Sequence, residues 1–180
     1  MPLEQPVERE LLHTRNIICH GYQRTDGLWD IEARLVDTKN YDFSNKDRGG
    51  IIRTGEALHD LYLRLTLDNE MFIIKAESFL NETPYNFCKQ AGKNTASLEG
   101  LQIAPGWMRK ARQRVGGTNG CTHLTEMLKT IATTAFQTFS IERHKNIDPQ
   151  AKPLYFNSCM THASDSPVTL RDTPEFYTGK

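Results

Sequence analysis

Four cysteines and six histidines supply this 180-residue chain with thiols and imidazoles. Several of them stand at intervals that suit proton transfer or metal binding. His13 and Arg15 are two apart, so on an extended chain both project to one side. Asp30, Glu32 and Arg34 share a side in the same way, as do Tyr62 and Arg64. A histidine and a pair of carboxylates under a loop make an acid–base set, and guanidinium groups suit bidentate recognition of a carboxylate. His59 is followed by Asp60, an acid able to orient a neighbouring base. Cys121 and His123 open a helix, a position that favours a thiolate. The catalytic set expected is therefore His13, Asp30, Glu32, His59, Cys121 and His123. Arg15, Tyr22, Arg24, Arg64, Gly117 and Gly120 are expected to bind substrate. Each group also has a plainer reading. The strand residues fit a solvated sheet laced with ion pairs, the glycines fit a tight turn, and Cys121 fits a small core position beside Leu124 and Leu128.

A metal is the alternative use of the same residue types. Cys121, His123, Cys159 and His162 would make four N/S ligands for zinc or iron, although their spacing matches no standard ribbon or finger. No Cys-x-x-Cys pair occurs. The glycines at 116, 117 and 120 follow neither the dinucleotide nor the Walker pattern, so no organic cofactor is expected.

These side chains need strands and a helix to hold them. Residues 11–22 read as a strand, and Asp26-Gly27 as a hairpin turn. Trp29, Ile31, Ala33 and Leu35 alternate with Asp30, Glu32 and Arg34, the period of a half-buried antiparallel strand. The polar, glycine-rich stretch 38–57 reads as a mobile loop. Leu61, Leu63, Leu65 and Leu67 mark a third strand, and residues 71–79 a fourth. Helical spacing then takes over, at 85–91, at 107–115, and longest at 122–141, where Leu124, Met127, Leu128, Ile131, Ala135, Phe136 and Phe139 form an apolar face. Strands followed by helices imply an α+β fold, an antiparallel sheet of about four strands with helices on one face. One domain is expected over 1–180, with an extended arm at 1–9 and a largely irregular extension at 144–180.

Twenty-two basic and 22 acidic residues give zero net charge, which argues against nucleic acid as the partner. No apolar run reaches the ~18 residues of a membrane span. The first ten residues lack a signal-peptide core, and the cysteines read as reduced thiols, so the expected address is the cytoplasm. The oligomeric state cannot be read.

Longer motifs carry a resemblance. Arg9-Glu-Leu-Leu-His-Thr-Arg15, Gly21-Tyr22-x-Arg24-x-Asp26-Gly27-Leu-Trp29-Asp30-Ile-Glu32, Gly106-Trp107 and Gly116-Gly117-x-x-Gly120-Cys-Thr-His-Leu124 resemble a bacterial family, domain of unknown function number 2889, over nearly the whole chain. That resemblance implies an association with breakdown of aromatic or acyl compounds. The architecture is also similar to the iron–sulfur scaffold and sulfur-acceptor fold, but without its Cys-Gly-Asp loop or His-Cys pair. Together these readings point to a cytoplasmic catabolic enzyme. It would act on a small aromatic or carboxylate-bearing compound by side-chain acid–base chemistry, as a lyase, hydratase or hydrolase. The alternative is a metal- or sulfur-handling binding protein.

Overall fold

The structure, a computed structural model, describes residues 4–140, 152–153 and 155–179. It divides into two compact units, 1–139 and 140–180.

The first unit is built on four long strands: β1 (His13–Gln23), β2 (Trp29–Lys39), β5 (Ala57–Leu67) and β6 (Ile73–Glu82). All neighbours are antiparallel in the order β1-β2-β5-β6, as expected for an α+β chain. The turn from β1 to β2 uses Gly27 at φ +87°, a conformation open to glycine. Between β2 and β5 the chain is not a plain loop. β3 (Phe43–Asn45) and β4 (Gly50–Ile52) pair as a small hairpin. Asn45 caps the turn between them by accepting from the backbone N–H groups of Asp47 and Arg48.

Period two decides what the sheet buries. Trp29, Ile31, Ala33 and Leu35 of β2, with Leu61, Leu63, Leu65 and Leu67 of β5, form one apolar face, each at most 3 % exposed. Helix α2 (Thr122–Thr138) lays Leu124, Met127, Leu128 and Ile131 into the same core, joined by Trp107, Ala111 and Val115 of α1 (Trp107–Val115). Burial of one such leucine or isoleucine contributes about 1.5–3 kcal/mol, so this layer is the main source of stability. The Trp29 ring packs on Phe139 at 4.5 Å between centroids. Gly21 lets α2 approach β1 closely, because a Cβ there would overlap the Thr138 hydroxyl. The segment read as a helix at 85–91 is instead a run of 3₁₀ turns over Asn86–Leu98. Its glycine and asparagines are weak helix formers.

The second unit holds α3 (Pro167–Asp172), with proline in the first turn and the Ser166 hydroxyl accepting from the Thr169 N–H at 3.0 Å. Short 3₁₀ turns flank it at Met160–His162 and Pro174–Phe176. The expected helix end at Ile141 and the start of the expected irregular extension at 144 lie outside the described residues.

Candidate functional site

The helix-covered face of the sheet changes character at one end. Arg15 of β1 stands opposite Asp37 of β2, and Asp37 opposite His59 of β5. All three have the parity of the core residues beside them, Ile17, Leu35 and Leu61. A row of ionisable groups therefore occupies the layer that is elsewhere leucine, isoleucine and alanine. His13, one step further along the same face of β1, and His123 with Glu126 from the first turns of α2 complete the group.

Asp37 is the hub. It is 1 % exposed. Arg15 grips it with a two-point fork, Nε to Oδ1 at 2.7 Å and Nη2 to Oδ2 at 2.8 Å. His59 Nδ1 lies 2.9 Å from Oδ2, His13 Nε2 is 3.5 Å from Oδ1, and His123 Nε2 is 3.8 Å from Oδ2. The remaining arm of Arg15 is paired with Glu126. The His59 and His123 rings lie 3.8 Å apart at 34°, a stack that disfavours a positive charge on both rings together.

Burial and neighbours set the protonation states. Burial raises the Asp37 carboxyl, but the hydrogen bonds and charge of Arg15, with His59, outweigh it and leave the pKa below the usual carboxylate range. Burial and then the charge of His123 push His59 down to about 4, against the opposing pull of Asp37. His123 is lowered as well, first by burial and then by the charge of Arg15. The Arg15 pKa is raised, mainly through its hydrogen bond to Asp37. At neutral pH the centre therefore holds an ionised carboxylate, a guanidinium and two neutral imidazoles, each able to take a proton. A single donor atom can be chosen from each of Asp37, His59 and His123 such that all three lie within 4.8 Å of one another.

The expected site residues divide between the two faces of the sheet. His13, Arg15, His59 and His123 come together. Cys121 sits beside them at the N-cap of α2, its Sγ 3.7 Å from His123 Nδ1, and it also lines a small apolar cavity with Leu63, Leu98 and Leu128. Asp30, Glu32, Tyr22 and Arg64 have the opposite parity and lie on the sheet's other face, so they do not join His13. There Asp30 accepts from the Thr66 hydroxyl at 2.6 Å, and Glu32 pairs with Arg64 at 2.7 Å. Arg24, in the β1–β2 turn, is held by Asp26 and Asp30. Asp60 does not orient His59. It faces Arg34 and Asn81, as its parity requires. Gly117, at φ +57°, shapes the turn between α1 and α2. Gly120 is needed there because a Cβ would run into the Val115 carbonyl. Of the expected metal quartet, Cys159 and His162 belong to the second unit, where Cys159 is exposed and His162 packs on Tyr155 at 4.4 Å.

Asp37 and Glu126 are the residues that sequence reasoning missed. For Asp37 the signal is present. It is the next odd position after Leu35 in the alternation that starts at Trp29, and so faces the core. Glu126 carries no comparable signal, since it follows the apolar stripe of α2 as any surface residue would.

No curated protein and no solved structure matches the chain, and nothing in the comparisons supports the likeness to the iron–sulfur scaffold fold. Among the described residues no helix is long and apolar enough to cross a membrane. A family match does exist. It covers residues 13–137, from the first residue of β1 to the last turn of α2, and so takes in every member of the Asp37 cluster: the chain belongs to the family described as Protein of unknown function (DUF2889).

Proposed function

We propose that the chain is an enzyme of the lyase, hydratase or hydrolase kind, acting on a small aromatic or carboxylate-bearing compound, with the Asp37 cluster as its working centre. One observation carries this reading: a buried carboxylate bound to a guanidinium and to an imidazole sits in the core layer, 2.9 Å from His59, where apolar side chains would pack at lower cost. Ionisable groups with displaced pKa values, gathered at one end of a sheet, are the usual signature of a proton-handling site. Asp37 and Arg15 act as positioning residues that fix His59. His123 is the most accessible of the neutral imidazoles, its side chain 24 % exposed, and stands where a reactant arriving from solvent meets the cluster. The role of these imidazoles is proton transfer to and from water or an acidic carbon.

The test is incubation of the purified chain with a panel of aromatic and aliphatic esters, lactones and unsaturated acids, read by mass spectrometry as gain or loss of one water. At least one class should be converted, and His123→Ala should slow that conversion by about 100-fold or more with the fold intact. Conversion of no class, or equal rates for the variant, would overturn the reading.

A further inference from the structure

We propose that the cluster binds one divalent first-row transition ion, zinc or ferrous iron, through Asp37, His59 and His123. This inference rests on the assignment of the working centre to this cluster and names the cofactor it takes. Three independent features of the geometry converge on it.

The first is the donor set and its spacing. Two imidazoles and one carboxylate are a common three-ligand set for such ions, and three protein ligands leave room for water or substrate. Bonds of about 2.0–2.1 Å in a tetrahedral arrangement place donor atoms roughly 3.4 Å apart. Asp37 Oδ2 is 2.9 Å from His59 Nδ1 and 3.8 Å from His123 Nε2, and one donor atom of each residue lies within 4.8 Å of the others, so adjustments of about 1 Å bring them to that spacing.

The second feature is the support behind the donors. Metal-ligating groups are held by partners that fix their orientation. Arg15 holds both carboxylate oxygens, Nε on Oδ1 at 2.7 Å and Nη2 on Oδ2 at 2.8 Å, which fixes the carboxylate plane with Oδ2 toward the two imidazoles. His13 approaches Oδ1 instead, which places it outside the ligand set. The His59 and His123 rings, stacked with centroids 3.8 Å apart, must splay for both to bind, because the in-plane nitrogen lone pairs of stacked rings do not converge on one point. When the ion enters, it takes the place of the proton between His59 Nδ1 and Oδ2. The ring proton moves to Nε2, so His59 stays neutral and no proton is lost.

The third feature is charge. One guanidinium, Arg15, is paired with two carboxylates, Asp37 and Glu126. The guanidinium and the two carboxylates therefore sum to one negative charge before any ion binds, an electrostatic environment that favours a cation. The bound ion would lower the pKa of a coordinated water toward about 7, and the hydroxide so formed is the nucleophile or base that hydration and hydrolysis need.

The experiment is calorimetric titration of chelator-treated full-length protein with Zn²⁺, and with Fe²⁺ under anaerobic conditions, alongside elemental analysis. One ion per chain is expected, and elemental analysis of protein purified without chelator identifies the ion, since zinc outbinds ferrous iron at most such sites. His123→Ala should weaken binding by about 100-fold or more. The Asp37→Asn variant loses the counter-ion of Arg15 and is prone to unfold, so His123→Ala, at the exposed edge, is the decisive variant, with its thermal midpoint measured without metal as the folding control. A double variant, Cys159→Ser with His162→Ala, should bind as the wild type does. No saturable binding of either ion, or binding that survives His123→Ala, would overturn the inference, as would binding lost in the double variant. The two proposals fail separately. Conversion of a substrate that persists in metal-free protein and still requires His123 would remove the ion and keep the enzyme, whereas stoichiometric binding without any conversion would do the reverse.

Discussion

The two faces of the sheet use the same residue types for opposite ends. On the outer face Arg64 pairs with Glu32 and Arg34 with Asp60, and the arginine side chains are about half exposed. Water reaches both charges of the Arg64–Glu32 pair, so it contributes little and can be rearranged cheaply, whereas the Asp60 carboxylate is 7 % exposed and has Asn81 as a second partner. On the helix-covered face Arg15 pairs with an Asp37 carboxylate that is 1 % exposed. There the carboxylate has lost its water, and it depends on the guanidinium and the imidazoles for its stabilisation. An ion pair is therefore informative in proportion to its burial, and this chain places the informative one where its apolar alternation ends.

The largest effect that would sharpen this contrast is expected from Asp37→Asn. It leaves Arg15 and His59 facing a neutral amide, and uncompensated partners of a buried pair cost about 3–5 kcal/mol. Chemical denaturation measures it, and a loss under 1 kcal/mol would make the two faces equivalent.

Acid is the next probe. The His59 pKa is depressed to about 4 in the folded chain, against 6.5 ordinarily. Below pH 6.5 the unfolded chain takes up a proton that the folded chain refuses, so stability is complete above that pH and falls as the pH drops toward 4. The loss is about 3 kcal/mol, and Asp37, also depressed, adds its share at still lower pH. Denaturation of chelator-treated protein between pH 7 and pH 4.5 should show this slope, to which the lowered His123 adds, and His59→Gln should reduce it. A wild-type stability independent of pH in that window would contradict the buried, neutral imidazole.

Arg15→Lys retains the charge and loses the fork, for an expected cost of about 1–2 kcal/mol. This differs from the sequence-based expectation that Arg15 serves a ligand, because the structure spends its fork on Asp37. The smallest effect belongs to the outer face, where Glu32→Gln should change stability by less than about 1 kcal/mol. A larger penalty there than for Arg15→Lys would invert the ranking of the two faces.

Much of this architecture was legible in the sequence, for identifiable reasons. Clean alternation located β2 and β5, and helical spacing located α1 and the body of α2. The glycine-rich stretch 38–57 concealed the β3–β4 hairpin because three-residue strands carry too few alternations to register a period. The site was half legible. His13, Arg15, His59, Cys121 and His123 stand out by type, but the apolar doublets Leu11-Leu12, just before β1, and Ile17-Ile18, within it, leave its inward parity ambiguous. Asp30 and Glu32 were therefore grouped with His13, although the sheet lies between them. Asp37 was overlooked because a lone acid after Leu35 and Val36 looks like the end of a strand and not its most buried polar position. Which residue faces His59 depends on the β2–β5 register, a long-range property that local periodicity does not encode.

The Arg15 link to Glu126 joins residues 111 positions apart. On a ribosome, a chain emerging N-terminus first can pair all four long strands before residue 122 is made, leaving Asp37, Arg15 and His59 exposed at the end of an uncapped sheet. Only the arrival of α2 brings His123 and Glu126 and closes the cluster, so its completion is a late event set by sequence separation. A nascent chain halted before α2 would carry the strands of this protein without the closed cluster, and the stacked imidazoles of His59 and His123 would serve as the reporter that synthesis had passed that point.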